Sequence, residues 1–236
     1  MDLPEKIYTT RDVKLTPDQI KHYSTMKDTA VAFLEGGDLV SAPEVMTRLL
    51  RLQQLLCGYL VTDDGETIEI ANHRIDAMLD TINEMDGKVI IWSRFRHDIK
   101  KIKSALDKNH GAGATVTYFG DTSQEDRDKA IDRFQNDQVT RFFVGNAQTA
   151  GRGLTLTAAT NVIYYSNDFN LETRIQSEDR CHRIGQKNNV LYVDLVVHDS
   201  IDVHIVKVLQ SKITLAGRTL GEEVKQWLQV SPKRSD

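Results

Sequence analysis

The chain has two regions that differ in the period of their apolar positions. From residue 74 onward, short continuous apolar runs alternate with segments in which apolar residues recur at helical spacing. The runs predict strands at residues 88–92, 115–119, 141–145, 161–166 and 190–197, and the other segments predict helices near residues 74–85, 96–109, 124–136, 171–184 and 200–214. Apolar runs connected by helices indicate a parallel sheet with helices on both faces, so this region is predicted to be α/β.

The first seventy residues instead predict two helices and a hairpin. Residues 16–19, TPDQ, have the form of a capping box with proline at the first helical position, before a helix that should run to about residue 33. Residues 41–44, SAPE, repeat this device, and the leucine-rich stripe that follows over residues 45–56 is interpreted as packing surface. An Asp-Gly pair between β-prone arms predicts a hairpin over residues 60–70.

Composition limits the class of protein. The 236 residues are 40% hydrophobic and 27% charged, which is typical of a soluble globular chain with one main core. No run approaches eighteen apolar residues and no basic region leads into an apolar stretch, so we expect neither a membrane span nor a secretory signal, and a cytoplasmic location. The net charge of −4 argues against a strongly basic nucleic-acid coat protein, but it leaves room for a local positive track.

The cysteines and histidines do not indicate a metal site. Cys57 and Cys181 lie far apart without a Cys-x-x-Cys partner, so they indicate reduced thiols. The seven histidines have no ligand spacing, and we predict no structural metal.

Loops that follow the predicted strands supply the candidate site. In a parallel sheet, ligands bind beyond the carboxyl ends of the strands. The loops at Ser93, Gly120, residues 146–153 and Asn167 all lie at that edge, which we call the rim.

The segment 176–186, QSEDRCHRIGQ, places two guanidiniums three residues apart, at Arg180 and Arg183, behind Gln176. On a helix this spacing aims both at one anionic target, and guanidiniums match phosphate oxygens bidentately. A solvated helix face balanced by Glu178 and Asp179 is the commoner meaning of such a pair on its own. The surrounding sequence decides between these interpretations.

Four further blocks precede this segment: KVIIWSRFRHDI from Lys88, YFGDTSQEDRDKAIDRFQ from Tyr118, QTAGRGLTLTAAT over residues 148–160, and the NVIYYSNDFN that follows. In order, spacing and local structure they resemble motifs IV to VI of the Swi/Snf-like ATPases of helicase superfamily two, over about residues 88–198. The chain is identified as a member of that family. The resemblance implies a RecA-like fold.

The resemblance also implies a domain organisation. Residues 1–72 would be a mainly helical linking segment with a hairpin, and residues 73–215 the second RecA-like lobe of the helicase. Residues 216–236 would form an amphipathic helix and a frayed tail. The chain contains no Walker A sequence and no Asp-Glu-x-His motif, so ATP and Mg²⁺ would be held mainly by a first lobe, joined in cis or in trans. Whether the lobe is a separate subunit stays open.

The family's site residues carry over to matching positions. Arg180 and Arg183 would be arginine fingers, while Gln176, Gly151 and Gly153 would contact the nucleotide. DNA contacts would be made to the backbone, without reading sequence. Those residues are Ser93, Arg94, Gly120, Asp121, Thr149 and Arg152. Arg152 departs from the apolar residue usual in the family, and its target is either a phosphate or a carboxylate of the first lobe.

Several residues allow two interpretations. Phe169 either belongs to the core or couples DNA contact to ATP, and we favour the core. Cys181 is either a reactive thiol or a buried apolar filler, and we favour the filler. His182 should support its loop by hydrogen bonding. Lys100, Lys101 and Lys103 are expected on a solvated helix face.

Two functions from different classes remain. The first is the motor lobe of an ATP-dependent DNA helicase or translocase. The second is a motor-derived module that grips DNA or a protein without hydrolysing ATP, but the intact Gln176, Arg180 and Arg183 argue against it. Motif V resembles the annealing and fork-remodelling branch, and motif IV resembles helicases of tailed bacteriophages, which would place the chain in a bacterial or phage-infected cell.

Overall fold

The computed structural model describes residues 3–35, 42–62, 64–149 and 154–211. Its contacts divide the chain into two compact units. The sheet unit is Met1–Arg11 with Ile75–Leu195, and the helical unit is Asp12–Arg74 with Val196–Asp236. The domain boundaries that the resemblance implies stay predictions, and the predicted helix after residue 216 lies outside the described residues.

The described elements, in chain order, are β1 (Lys6–Asp12), α1 (Pro17–Glu35), α2 (Ala42–Leu56), β2 (Tyr59–Val61), β3 (Thr67–Glu69), α3 (Arg74–Asn83), β4 (Lys88–Trp92), α4 (Arg96–His110), β5 (Thr115–Tyr118), α5 (Gln124–Asn136), β6 (Phe142–Gly145), β7 (Ala159–Tyr164), α6 (Leu171–Glu178), β8 (Val190–Val196) and α7 (Ile201–Ser211). Six strands form one sheet in the order β1-β8-β7-β4-β6-β5. The β4, β5, β6, β7 and β8 pairings are parallel, which confirms the predicted α/β, RecA-like architecture.

The core of the sheet unit is built from the apolar runs of the strands. The Phe143 ring lies at its centre, 5.9 Å from the Trp92 ring, 5.4 Å from the Phe134 ring and 5.8 Å from the Tyr118 ring. The central strands are buried on both faces, as continuous apolar runs require. All five predicted strands are present, within one or two residues at each end.

Strand β1 was not predicted. Its sequence, KIYTTRD, is mostly exposed because it lies at the edge of the sheet, and it therefore has no apolar run. The Val190 amide donates to the Glu5 carbonyl at 3.0 Å at one end, and the Val13 amide donates to the Val196 carbonyl at 2.7 Å at the other. These bonds show that β1 runs in the same direction as β8.

The helix predicted near residues 171–184 is shorter than expected. Helix α6 ends at Glu178, and residues 179–186 form turns and loop, so Arg180 and Arg183 are not on a helix face. The Arg180 carbonyl accepts from the Leu156 amide at 2.8 Å, and the Arg180 amide donates to Ser177 O, three residues back, at 3.4 Å. A partner from a distant loop therefore replaces the next turn of helix.

The helical unit confirms three of the local predictions, while the capping device predicted at residues 41–44 begins outside the described residues. At the start of α1, Gln19 N donates to Thr16 Oγ1 at 3.3 Å and Thr16 N donates to Gln19 Oε1 at 3.2 Å, which is the predicted capping box. The α2 stripe is buried, with Leu49 at 0% and Leu52 at 1% exposure, and β2 and β3 form the antiparallel hairpin. None of the described helices has the length and apolar character needed to cross a membrane.

Candidate functional site

The rim is organised by hydroxyl and amide groups that follow three adjacent strands. After β4, Ser93 Oγ lies 3.1 Å from Ser166 Oγ, which follows β7 and also accepts from the Arg94 amide at 2.9 Å. After β6, Asn146 Nδ2 donates to the Arg94 carbonyl at 2.7 Å. Ser93 is 1% exposed, so its hydroxyl joins the loops and faces the interior. The Arg94 side chain, by contrast, is half-buried.

Arg94 is held between two aromatic rings. Its guanidinium carbon lies 5.8 Å from the Phe95 ring centre and 5.5 Å from the Phe169 ring centre, within the range of cation–π attraction. Phe169 is half-buried, so the preferred interpretation of this residue as core is wrong. Its ring packs against a rim arginine.

The turn after β5 contacts a second arginine at the rim, Arg96, which is the first residue of α4. Arg96 Nη1 lies 2.7 Å from Asp121 Oδ1, and both side chains are exposed. A Cβ on Gly120 would lie 2.5 Å from Arg96 Nη2, so the missing side chain leaves room for that guanidinium. Thr149 lies in a turn after β6, in which its amide donates to Asn146 O at 3.1 Å. Gly151, Arg152 and Gly153 lie outside the described residues.

Behind the rim, Arg174 is the centre of a buried ionic network. Its Nε donates to Glu178 Oε1 at 2.8 Å, and its Nη1 donates to Asp194 Oδ1 at 2.6 Å and to Asn167 Oδ1 at 2.8 Å. The guanidinium also lies 3.5 Å from the Tyr164 ring centre. Burial acts to lower the pKa of Arg174, but Tyr164, Asp194 and Glu178 outweigh it and raise the pKa above its ordinary value. This arginine, which the sequence did not single out, ties α6 to the sheet.

Arg180 has the opposite surroundings. It is 8% exposed, and its Nε is buried with no hydrogen-bond partner in the part of the chain that the structure describes. Burial, and then the neighbouring charge of Arg183, lower the pKa of Arg180. A cation with an unsatisfied donor in a buried position is costly, and an anion would relieve that cost.

Arg183 is exposed and points back to the segment after the glycines of motif V. Its Nη1 donates to Thr155 Oγ1 at 3.0 Å and lies 3.4 Å from the Leu154 carbonyl. Gln186, a second residue that the sequence did not single out, donates from Nε2 to the carbonyls of Thr157 at 3.2 Å, Ala159 at 2.9 Å and Cys181 at 3.2 Å. These bonds join motifs V and VI into one unit.

The remaining residues of the segment have structural partners. Gln176 Nε2 donates to Glu172 Oε1 at 2.8 Å on the same helix. Cys181 is fully buried and burial raises its pKa to about 11, which agrees with an apolar filler and not with a reactive thiol. His182 Nε2 lies 2.6 Å from the Pro4 carbonyl, which confirms its predicted loop-supporting hydrogen bond.

The cofactors implied by the family fit this lobe unequally. The unsatisfied Nε of Arg180 suits an anionic phosphate group. Within the described ranges, no three His, Cys, Asp or Glu side chains converge in an arrangement for a metal ion. The described residues thus offer a phosphate contact but no ligand cluster for Mg²⁺.

Comparison with known proteins agrees with this geometry. Residues 72–185 match the helicase conserved C-terminal domain family. CHROMATIN REMODELING 19 of Arabidopsis thaliana is 31% identical over 178 residues, which cover 72% of this chain and 23% of that protein. An uncharacterized ATP-dependent helicase of Mycoplasma genitalium is 27% identical over 226 residues, which cover 94% of this chain and 22% of that protein. The chain thus spans less than a quarter of the length of either relative.

Solved structures give the same fold. The Sulfolobus solfataricus SWI2/SNF2 ATPase core in complex with dsDNA is 25% identical with a TM-score of 0.72, and the match covers 98% of this chain and 49% of that one. The C-terminal part of the Fun30 ATPase domain is 19% identical with a TM-score of 0.75, over 96% of this chain and 97% of that one. The chain therefore belongs to the helicases with a conserved C-terminal domain. Within them, its fold is that of the second, C-terminal RecA-like lobe of Swi/Snf-type ATPases.

Proposed function

We propose that this lobe works in an ATP-dependent DNA helicase or translocase, where it supplies Arg180 and Arg183 as arginine fingers to ATP held mainly, with Mg²⁺, by a first lobe. The observation that carries the proposal is the buried, unsatisfied Nε of Arg180. A guanidinium in place before the reaction stabilises charge that develops on a transferred phosphoryl group without costly reorganisation.

The same segment supports the placement of the fingers. Gln186 and Arg183 join the turn to the segment after the motif V glycines, so Gly151 and Gly153 would approach the nucleotide from the loop that the fingers contact. Gln176, in the last turn of α6, would position the nucleotide or the motif. Closing and opening of the cleft would then move the two DNA-gripping rims relative to each other.

The DNA contacts would lie at the rim. Arg94 would bind a backbone phosphate, with Ser93 holding its loop from inside. Gly120, Asp121, Thr149 and Arg152 would contribute from neighbouring loops, with Asp121 acting through its ion pair to Arg96. A protein related to this chain has been solved as an ATPase core on dsDNA, which supports DNA as the partner. Contacts of this kind recognise the backbone and not the sequence.

The experiment compares the chain alone with the chain joined to a first lobe that carries a Walker A lysine. We expect DNA-stimulated ATP hydrolysis only from the joined form, because the phosphate cradle and the metal ligands lie on the first lobe. Robust turnover by the chain alone would contradict this division of labour. Absence of turnover from the joined form would favour the module that binds without hydrolysing ATP.

A salt titration tests the rim separately. Binding of the chain to two unrelated duplexes should be weak, equal between the two sequences and strongly reduced as salt rises, because phosphate contacts release counterions. A clear preference for one duplex, or binding indifferent to salt, would refute backbone contact.

A further inference from the structure

Residues 4–8 at the start of the sheet unit, which we call the strap, lie against the segment that carries the two arginines. Lys6 Nζ lies 3.1 Å from Glu178 Oε2 and 3.4 Å from Asp179 Oδ1. Tyr8 Oη donates to Glu178 Oε2 at 2.7 Å, across 170 positions of sequence. The strap therefore contacts the last residue of α6 and the first residue of the turn that follows.

The strap also contacts the far side of that turn. Pro4 offers its carbonyl to His182 Nε2 at 2.6 Å. Glu5 accepts from the Val190 amide at 3.0 Å and donates from its own amide to Asn189 Oδ1 at 3.0 Å. Arg180 and Arg183 thus lie on a stretch of chain that one short segment grips both before and after it.

Tyr8 has a second contact that fixes the same helix end. Its ring stacks on the Tyr192 ring, with the centres 5.2 Å apart and the planes 20° from parallel. Tyr192 Oη in turn donates to the Glu178 carbonyl at 3.2 Å. Both the side chain and the backbone of Glu178 are therefore held from strands β1 and β8.

Two of the backbone bonds within the turn are long. The Arg180 amide lies 3.4 Å from Ser177 O, and the Cys181 amide lies 3.3 Å from Glu178 O, near the long limit for such bonds. A catalytic group must be held within about 0.5 Å of its working position, and supporting contacts supply that precision. The strap supplies contacts of this kind on the side of the turn away from motif V.

We infer that the strap positions the arginine pair and that Tyr8, through Glu178, is its principal positioning residue. This inference rests on the proposed function for its catalytic consequence, but its structural part stands on the contacts alone. It gives a role to strand β1, for which the apolar pattern gives no signal.

The first test uses hydrogen exchange of the chain with Tyr8→Phe, which removes the hydroxyl and keeps the ring stack. The Cys181 and His182 amides should exchange about tenfold faster, since a hydrogen bond to a carboxylate contributes enough for a change of that size. Strands β4 and β6 should be unchanged. Ile7→Thr is the matched control, because Ile7 lies on the opposite strand face at 45% exposure and should leave exchange as it was.

The second test measures kcat and KM in the two-lobed enzyme. Tyr8→Phe should lower kcat for DNA-stimulated hydrolysis about tenfold and leave the KM for ATP within about twofold, because a displaced finger affects the transition state more than binding. Combining it with Glu178→Gln should lower kcat by less than the product of the two single effects, since Glu178→Gln weakens the same contact together with those to Lys6 and Arg174.

The outcomes separate the two proposals. Unchanged exchange in Tyr8→Phe overturns the inference, whatever the enzyme does. Faster exchange with normal kcat overturns the positioning role. Faster exchange in Tyr8→Phe, together with a two-lobed wild type that lacks turnover, overturns the proposed function and leaves the strap's hold on the turn in place.

Discussion

Two arginines six positions apart, Arg174 and Arg180, are equally buried but have opposite surroundings. Each is 8% exposed. Arg174 bonds to Glu178, Asn167 and Asp194 and stacks on Tyr164, whereas the Nε of Arg180 has no partner among the described residues. The pKa of Arg174 is raised by its partners and that of Arg180 is lowered by burial and by Arg183.

The difference distinguishes an arginine that holds the fold from one that is kept ready for a ligand. A buried guanidinium with carboxylate partners is repaid for its lost hydration, and removing it would strand those carboxylates. A buried guanidinium with an unsatisfied donor costs stability in the free lobe. Such a cost at a site is expected where function requires it.

The largest expected effect comes from Arg180→Ala in the two-lobed enzyme. DNA-stimulated turnover should fall by about 10³-fold or more, as it does when an arginine finger is lost. Arg183→Ala should behave alike, and DNA affinity should hardly change for either variant because the rim is untouched. Steady-state hydrolysis and DNA titration on the same samples measure both. Near-normal turnover in either variant would mean that this arginine is not a finger.

Arg174→Ala should act on folding instead. The free energy of unfolding of the chain should fall by about 3–5 kcal/mol, because Asp194 would be left buried without its cation and Glu178 would keep only Lys6. Urea unfolding measures this, with Arg174→Lys as a control that keeps the charge but loses the fork of hydrogen bonds. A loss no larger than that of an exposed substitution would show that the network does not hold α6.

Arg180→Met tests the other half of the comparison on the same measurement. The free energy of unfolding should stay within about 0.5 kcal/mol of wild type or rise, since the change removes a desolvated charge and keeps an unbranched side chain. If Arg180→Met were as destabilising as Arg174→Ala, the two arginines would have the same structural role.

A smaller effect concerns the pH dependence of the Arg174 network. Burial acts to raise the pKa of the Glu178 carboxyl, but Arg174, Tyr8 and Lys6 outweigh it and hold the pKa below its ordinary value. The group therefore contributes stability above its unfolded pKa of about 4.3, and this contribution is lost as pH falls through the lower folded value. Unfolding of wild type and Glu178→Gln should differ most near neutral pH and converge in acid. A difference that grows in acid would reverse the sign.

Much of the fold was predictable because a period of apolar positions reports which face of an element is buried. The five strands of the predicted sheet, the α1 capping box and the hairpin all follow from local sequence. Strand β1 was missed since an exposed edge strand has no apolar run. The end of α6 was missed because the Arg180 carbonyl bonds to Leu156, which is distant in sequence.

The candidate site was predictable only in part, because some of its contacts join loops that are distant in sequence. The rim followed from the parallel sheet, and the supporting bond of His182 and the buried Cys181 agree with their favoured interpretations. The inward direction of Ser93 and the stacking of Phe169 on Arg94 did not follow, because each depends on a loop from another strand. The nucleotide and DNA contacts assigned to individual residues stay predictions.

The sequence by itself determined the positions of the motifs and strands, and with them the family, because these depend on residues close together along the chain. It did not determine which arginine of motif VI and its helix is structural and which is free for a ligand. That was decided by tertiary structure, which brings Asp194 to Arg174 and the strap to Glu178 but leaves the Nε of Arg180 without an acceptor among the described residues. A guanidinium's role depends on whether an acceptor lies within hydrogen-bond distance, and folding decides that distance.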